Sequence, residues 1–415
     1  MTVLVAPDKF KGSLTAAQVA SAVAAGLLAV SRDEPVVELP VADGGEGTVA
    51  AAVAAGFRRV PARVSGPTGR RITAFFALRG EVAVVELAEA SGLHRLPGGL
   101  PAPLTASSYG TGELIAAARA AGASRIVLGV GGSACTDGGA GMLTALGARV
   151  LDYSGAPVPP GGIGLSSVST VDLSGVSAVD LELACDVDNP LLGPSGAAAV
   201  YGPQKGASPS DVAVLEAGLR HWASVLGPSS ASTAGAGSAS ASGASSASSS
   251  ASDAGSAGRG AGSASDSGGS GPGSASGGSA SAAGAGAAGG VGFAALAALG
   301  ARMRPGISLL LDLLGFSDAV RDARLVITGE GSLDTQSLHG KAPIGVLRAA
   351  TAAGVPTIAV TGRCLLPPAE WRAAGFTAVH TLTDLEPDPA SCMTNAAPLL
   401  RRLAEHLART HTAAA

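Results

Sequence analysis

One local pattern recurs at both ends of this 415-residue chain: a short apolar run, a polar block rich in glycine, then a helical stretch. Thr2 to Ala6 reads as a strand, and Thr15-Ala-Ala-Gln18 after it has capping-box spacing, opening a helix to about residue 29. Val36 to Val41 reads as a second strand and runs into Ala42-Asp43-Gly44-Gly45-Glu46-Gly47-Thr48, where another helix begins. Towards the C-terminus, Arg324 to Thr328 and Thr357 to Thr361 read as strands, and Ile344 to Ala353 and Asn395 to Arg409 as helices. Alternation of this kind specifies a parallel sheet covered by helices, because a parallel return needs a crossover.

The middle of the chain breaks the alternation. Arg71 to Leu78 and Val82 to Leu87, joined by Arg79-Gly80-Glu81, form a hairpin pattern, which demands antiparallel or mixed pairing. A helix near Gly112 to Ala121 follows, then strands at Arg125 to Val130 and Leu181 to Cys185. The expected class is therefore α/β with two domains. Residues 1–65 and 290–415 form a doubly wound parallel-sheet domain, and 66–289 form an inserted mixed-sheet α/β domain. One segment stands apart: from about residue 227 to 285 the chain is almost wholly Ser, Ala and Gly, without branched aliphatic or aromatic side chains. Such a tract cannot bury enough surface to offset its ordering entropy, so a disordered insertion is expected there.

Charge narrows the function. The net charge is −4, aromatics make up 3% and no long basic run occurs, which argues against a nucleic-acid partner. The apolar stretch Ala16 to Val30 is interrupted by Gln18 and Ser21 and is too short to span a bilayer, so no membrane partner is expected. The first dozen residues carry Asp8, Lys9 and Lys11 rather than an apolar signal core, and the four cysteines lack paired or CxxC spacing. These features give the expectation of a cytoplasmic protein without a zinc site.

The lysines carry the sharpest signal. Of 27 basic residues only four are lysines, and all four lie in polar glycine-bearing blocks: Lys9, Lys11, Lys205 and Lys341. A compact ammonium and a rigid guanidinium fork are not interchangeable where a point charge must meet a phosphate or carboxylate. The same blocks hold Asp43, Glu46, Asp137, Asp186, Asp188, Glu330 and Asp334, hard oxygen ligands suited to magnesium. In an open parallel sheet, ligands bind at the carboxyl ends of strands, where these blocks fall, and glycines let backbone amides approach an anion closely. Acids, lysines and glycine amides together fit phosphoryl transfer, which needs carboxylates for Mg²⁺, positive charge around phosphates and a group to orient the attacking hydroxyl. The nucleotide motifs of other folds are missing. Gly340-Lys341 has no glycine five positions before Gly340 and is followed by alanine, and no GxGxxG follows the first strand.

Taken in order, these blocks resemble those of the type I glycerate kinases. The matching stretches are Ala6-Pro-Asp-Lys-Phe-Lys-Gly-Ser13, Ala42-Asp-Gly-Gly-Glu-Gly-Thr48, Ser108-Tyr-Gly-Thr-Gly-Glu113, Gly131-Gly-Ser133 with Asp137-Gly-Gly-Ala-Gly141, and Cys185-Asp-Val-Asp-Asn-Pro-Leu191. Gly202-Pro-Gln-Lys-Gly206, Ala287-Ala-Gly-Gly290 and Ile327-Thr-Gly-Glu-Gly331 through Gly340-Lys341 complete the set across nearly the whole chain. The resemblance implies a flavodoxin-like domain with an inserted second domain. It also implies ATP-dependent phosphorylation of D-glycerate with Mg²⁺, 2-phosphoglycerate being the more usual product for this type.

On that basis Lys9, Asp186 and Asp43 are the catalytic candidates. Asp186 is the first choice to orient or deprotonate the attacking hydroxyl, with Asp188 or Asp43 as alternatives. Lys11, Ser13, Asp188 and Asn189 are candidates for substrate contact, with Lys9 and Lys11 facing either the glycerate carboxylate or the transferring phosphoryl group. Gly44, Gly45, Gly131, Gly132, Ser133, Lys205, Gly289, Gly290, Gly329 and Lys341 are candidates for nucleotide phosphates. Asp188, Glu330 and Asp334 are the candidates for magnesium. Two features depart from the family pattern. Ser133-Ala-Cys135-Thr136-Asp137 stands where the family commonly reads Ser-Ala-Thr-Asn-Asp, and a thiol is a weaker hydrogen-bond partner than a hydroxyl. The Ser/Ala/Gly tract is also foreign to the family. A kinase for another small hydroxy acid or sugar, and a non-catalytic protein binding glycerate or nucleotide, are the competing readings of the same residues.

Overall fold

The computed structural model describes residues 2–227 and 279–411, so most of the Ser/Ala/Gly tract lies outside the described residues. Thirteen strands are described. They are β1 (Thr2–Val5), β2 (Val36–Glu38), β3 (Arg58–Ser65), β4 (Arg71–Arg79), β5 (Val82–Glu86), β6 (Arg125–Gly129), β7 (Arg149–Asp152), β8 (Val168–Asp172), β9 (Asp180–Ala184), β10 (Arg302–Arg304), β11 (Ala323–Leu333), β12 (Thr357–Cys364) and β13 (Ala378–Thr381). Five form an all-parallel sheet in the order β13-β12-β11-β1-β2, which unites the two ends of the chain. Six form a mixed sheet in the order β10-β9-β6-β5-β4-β3, parallel from β10 to β5 and antiparallel through β4 and β3. The architecture is two-domain α/β, a parallel sheet beside a mixed one, with β7 and β8 as a separate antiparallel pair.

Local signals explain much of this. Thr15 caps the helix Ala16–Val30, with its side chain accepting from Gln18 N and the Gln18 side chain returning to Thr15 N. That helix packs against Ala396–His411 so closely that a Cβ at Gly26 would sit 2.3 Å from Arg401 O. Together they cover one face of the parallel sheet through Val3, Val5, Ile327 and Leu400. The other face is covered by helices Thr48–Ala54, Gly306–Leu314 and Ala342–Ala352. Two of these reach the mixed sheet as well: Ala77 and Val84 share a core with Val49 and Ala52 of Thr48–Ala54, and Leu309 of Gly306–Leu314 packs on Val127 and Ala184. Both helices start at polar blocks of interest, so packing between the sheets fixes where those blocks stand.

Some expected boundaries move. β3 carries Pro61, which an edge strand tolerates because its N–H side need not pair. With β10 at the opposite edge, the mixed sheet includes strands on both sides of the expected 66–289 segment. The glycine block after Thr328 is not a turn. β11 runs straight through Gly329-Glu330-Gly331 and pairs with β12 as far as Leu333. Gly329 is a packing residue here, since a Cβ would stand 2.0 Å from Val360 O. No described helix is long and apolar enough to cross a membrane.

Candidate active site

Of the cavities at the carboxyl ends of the strands, two share Asp43 and Gly132. The larger, about 560 Å³, is walled by the loop Asp8 to Ser13 after β1, by Glu330, Asp334 and Lys341, and by Glu46. Its remaining wall mixes Phe10, Leu382, Cys392 and Met393 with the polar Ser332, Arg363 and Thr383. The smaller, about 220 Å³, takes Gly44 and Gly45 after β2, Gly131 to Ser133 after β6 and Asp186 after β9, closed by Tyr201, Gln204 and Lys205.

The β1 loop is a tight turn held by backbone hydrogen bonds, one of them to β11. Asp8 N donates to Gly329 O at 2.8 Å, and Ser13 N and Leu14 N donate to Phe10 O at 2.9 and 3.0 Å. Lys9 pairs with Asp8 Oδ1 at 3.6 Å. Burial alone would pull the Lys9 ammonium down, but Asp8, Asp43, Glu46 and Glu86 outweigh it and hold it above the usual lysine range. Burial also pushes the Asp8 carboxyl up to about 6, against the pull of Lys9 and with Asp43 adding to the rise. Lys11 stays exposed on the cavity wall beside Ser13.

Asp43 and Asp186 approach each other from the two sheets. Asp43 Oδ1 accepts from Gly45 N at 3.2 Å. Gly44, at φ +90°, lies against the end of β9, where a Cβ would meet Ala184 O at 2.6 Å. Asp186 Oδ1 accepts from Gly306 N at 2.7 Å, anchoring the carboxylate to the first turn of Gly306–Leu314. Burial drives the Asp186 carboxyl up to about 7, the Gly306 N–H opposes this, and Asp43 adds to it. Gly306 marks the closest approach: a Cβ there would stand 2.1 Å from Asp43 O and 2.9 Å from Asp186 Oδ2. Nothing in Pro305-Gly306 as a sequence distinguishes it from an ordinary helix start.

Other expected residues prove to be held within the scaffold. Asp137 is buried and accepts from Ser107 Oγ (3.1 Å), Ser108 N (2.7 Å), Ser108 Oγ (2.9 Å) and Gly139 N (3.2 Å), leaving little capacity for a ligand. Lys205 is buried too, with Nζ donating to Cys135 O at 2.5 Å and Thr136 Oγ1 at 3.5 Å, and burial pulls its pKa down. Asn189 spends its amide on Ser195 O (2.8 Å) and its oxygen on the Tyr201 hydroxyl (2.5 Å), and it lines neither cavity. Gly289 and Gly290 pack on the loop after β6, where a Cβ at Gly289 would lie 2.2 Å from Cys135 O. Their neighbours Ala287 and Ala288 line the small cavity instead. Ala288, at φ 51°, is the only non-glycine with positive φ among the described residues, strain of the kind that clusters at functional sites.

The magnesium candidates separate. Asp188 lines an outer groove with Asp186 and Arg304, whereas Glu330 and Asp334 line the large cavity. Asp334 stands 3.7 Å from Lys341 Nζ and is bonded to Ser337. Glu330 Oε1 is buried without a hydrogen-bond partner, and burial pushes its carboxyl up to about 7, with Ser337 and Lys341 opposing. Among the described residues, no group of three or more His, Cys, Asp and Glu side chains is arranged to hold a metal ion. Sequence reasoning missed Glu86 at the end of β5, whose Oε2 accepts from Gly47 N (3.1 Å) and Val49 N (3.2 Å) across the two sheets. It also missed the wall Leu382–Met393, which no polar motif announces. Tyr201 and Gln204, by contrast, adjoin the Lys205 block and were within reach.

Comparison with known proteins agrees with this geometry. The model of the glycerate kinase family matches residues 3–260 and 273–412. A glycerate kinase of Bacillus subtilis (strain 168) is 39% identical over 369 residues, covering 87% of this chain and 85% of its own length. A glycerate 2-kinase of Escherichia coli K12 is 38% identical over 370 residues, with the same coverage of 87% and 85%. A crystal structure of a Salmonella typhimurium LT2 protein described as glycerate kinase 2 is similar at a TM-score of 0.77 and 38% identity, covering 100% of this chain and 99% of that one. With the family model spanning nearly the whole chain and relatives this similar, the chain belongs to the glycerate kinase family of enzymes.

Proposed function

We propose that the chain transfers the γ-phosphoryl group of ATP to D-glycerate, giving 2-phosphoglycerate, in the cytoplasm. The observation that carries this reading is a carboxylate poised near neutrality and anchored on Gly306 N, Asp186, in a small cavity that meets a lysine-lined larger one at Asp43. The position of phosphorylation follows the glycerate 2-kinase of E. coli, to which the chain is 38% identical.

The residues divide the work. Asp186 accepts the proton of the attacking hydroxyl, since a base titrating near 7 combines the right ionisation with enough driving force. Lys9, kept fully charged by the acids around it, faces the negative charge that spreads over the transferring group. The amides after Asp43 and at Gly131 to Ser133 hold oxyanions without a side chain in the way. Asp8 couples electrostatically to both Asp43 and Glu330 and Glu330 Oε1 has no partner, so a cation held by one of these carboxylates together with phosphate oxygens would relieve repulsion. One or two of these carboxylates with phosphate oxygens suit Mg²⁺, which neutralises phosphate charge when bound. A coupled assay of ADP release with D-glycerate, glycolate and glucose tests the reading. D-glycerate should be turned over far faster than the others, and equal or greater turnover of glucose would exclude it.

A further inference from the structure

We infer that the two cavities divide the substrates: the large one takes ATP, its base against Met393, and the small one takes the acceptor acid. This rests on the kinase reading above. It also reverses the roles expected from sequence, in which Lys11 and Ser13 faced the acceptor and Gly131 to Ser133 with Lys205 faced the nucleotide.

Four independent observations converge on it. The first is size. A cavity of about 560 Å³ falls among those that hold drug-sized ligands, roughly 300–1,000 Å³, and the 220 Å³ cavity falls below them. The second is the nature of the walls. A three-carbon hydroxy acid has almost no apolar surface to offer, so the exposed Met393 side chain on the wall of the large cavity has no use for it. A purine does, because its faces pack on aliphatic and thioether groups. Met393 is 53% exposed at the mouth of that cavity although apolar, a side chain that an incoming ring would cover.

The third is charge. Lys9, Lys11 and Lys341, three of the chain's four lysines, line the large cavity, and the small cavity has only Lys205, already donating to Cys135 O. A triphosphate needs several cations, whereas a monocarboxylic acid can be held by amides, the Ser133 hydroxyl and Gln204. The fourth is the place of the base. Asp186 stands between the small cavity and the outer groove of about 1,030 Å³ and does not line the nucleotide cavity, and a group that takes a proton from the attacking hydroxyl must stand beside the acceptor. The γ-phosphoryl group then passes where the cavities meet, at Asp43 and Gly132, from the nucleotide's terminal P–O bond to the acceptor oxygen, whose proton goes to Asp186.

Photolabelling of the wild-type chain with 8-azido-ADP, followed by peptide mapping, tests the division. Saturable label on peptides carrying Phe10 or residues 382–396, undiminished by excess D-glycerate, is the expected result. Label within 131–137 or 185–205, or no saturable label, overturns it. Kinetics supply a second arm. Met393→Asp should raise the KM for ATP roughly tenfold and leave that for D-glycerate nearly unchanged, and Gln204→Ala should do the reverse. The opposite pattern would also overturn it. Failure of the kinase reading looks different: a chain that labels at 382–396 but leaves D-glycerate unphosphorylated keeps its nucleotide cavity and loses its acceptor. A chain that phosphorylates D-glycerate but labels elsewhere loses only the division.

Discussion

Lys9 and Lys11 stand two residues apart yet have different surroundings. Lys9 is partly buried among four carboxylates and Lys11 is exposed, so Lys9→Ala should lower kcat by about a hundredfold or more and Lys11→Ala by less. One preorganised charge facing developing phosphoryl charge is worth about 3–4 kcal/mol, and the exposed Arg58→Ala should change nothing. Comparable rates for Lys9→Ala and wild type in the steady-state assay would remove Lys9 from the site. Asp186→Asn should abolish turnover while the chain stays folded, because the amide oxygen can still accept from Gly306 N. In the wild type, kcat/KM should fall tenfold per pH unit below about 7 as the Asp186 carboxyl protonates. A flat profile from pH 5.5 to 8 would deny it the role of base. Glu330 gives a prediction for stability. Its folded pKa, about 7, lies above the ordinary glutamate value, so the native state holds a proton that the unfolded chain releases. That stability is present at low pH and is lost as pH rises through 7. Glu330→Gln should therefore melt higher than wild type at pH 8, on the order of 1 kcal/mol, with the gain shrinking below pH 6. A lower melting temperature at pH 8 would mean the carboxylate has a partner in solution. The lysines and acids were visible in the sequence because so few lysines exist and all fall in glycine blocks. The burial of Asp137 and Lys205 was not, since their partners, Ser107, Ser108 and Cys135, come from loops that no local pattern links.

Helices Thr48–Ala54 and Gly306–Leu314 connect the two halves of the site, each packed on both sheets and each bonded at its start to a carboxylate of the mixed sheet. Glu86 holds the first by accepting from Gly47 N and Val49 N, directly beside the Asp43 loop. Truncation to alanine would leave two amides without an acceptor, at a cost on the order of 1–3 kcal/mol, and would loosen that loop. Glu86→Ala should lower both the urea midpoint and kcat, and Glu86→Gln, which keeps an acceptor oxygen, should restore most of each. An alanine variant of unchanged stability would show that water replaces the carboxylate. The alternating elements at the chain ends were legible from strand runs and the Thr15 capping box. β3 was hidden by Pro61, which reads as a strand breaker until the strand is known to lie at an edge. The continuation of β11 through Gly329 and Gly331 was hidden too, because glycine marks a turn in sequence but here admits the Val360 backbone of β12.

The chain closes on itself, its two ends sharing one parallel sheet and its middle supplying the other, so the cleft is assembled from segments some 300 residues apart, such as Asp8 and Glu330. We propose that the domain joints lie between Phe57 and Arg58 and between Arg304 and Gly306, where the chain passes from one sheet to the helices of the other. The motifs foretold this closure because they fell at strand ends in both terminal segments. The facing of the two halves depends on the inter-sheet packing of Leu309, Ala77 and Val84, which carries no motif. The Ser/Ala/Gly tract should be dispensable, since it offers no branched aliphatic or aromatic side chain to a core. Removal of residues 229–278 with a short Gly/Ser join should leave the melting temperature and kcat near those of the full chain. The cut must stop there, because Ala280 O accepts from Leu191 N (2.8 Å) and Gly286 N donates to Asn189 O (2.9 Å) beside the small cavity. An insoluble or inactive deletion variant would give the tract a structural part. Every role above belongs to one reaction, and ³¹P NMR of the chain with MgATP and D-glycerate observes it directly. ADP and 2-phosphoglycerate should appear in equal amounts and depend on Asp186. Resonances of 3-phosphoglycerate alone, or ADP with inorganic phosphate and no phosphoglycerate, would contradict it.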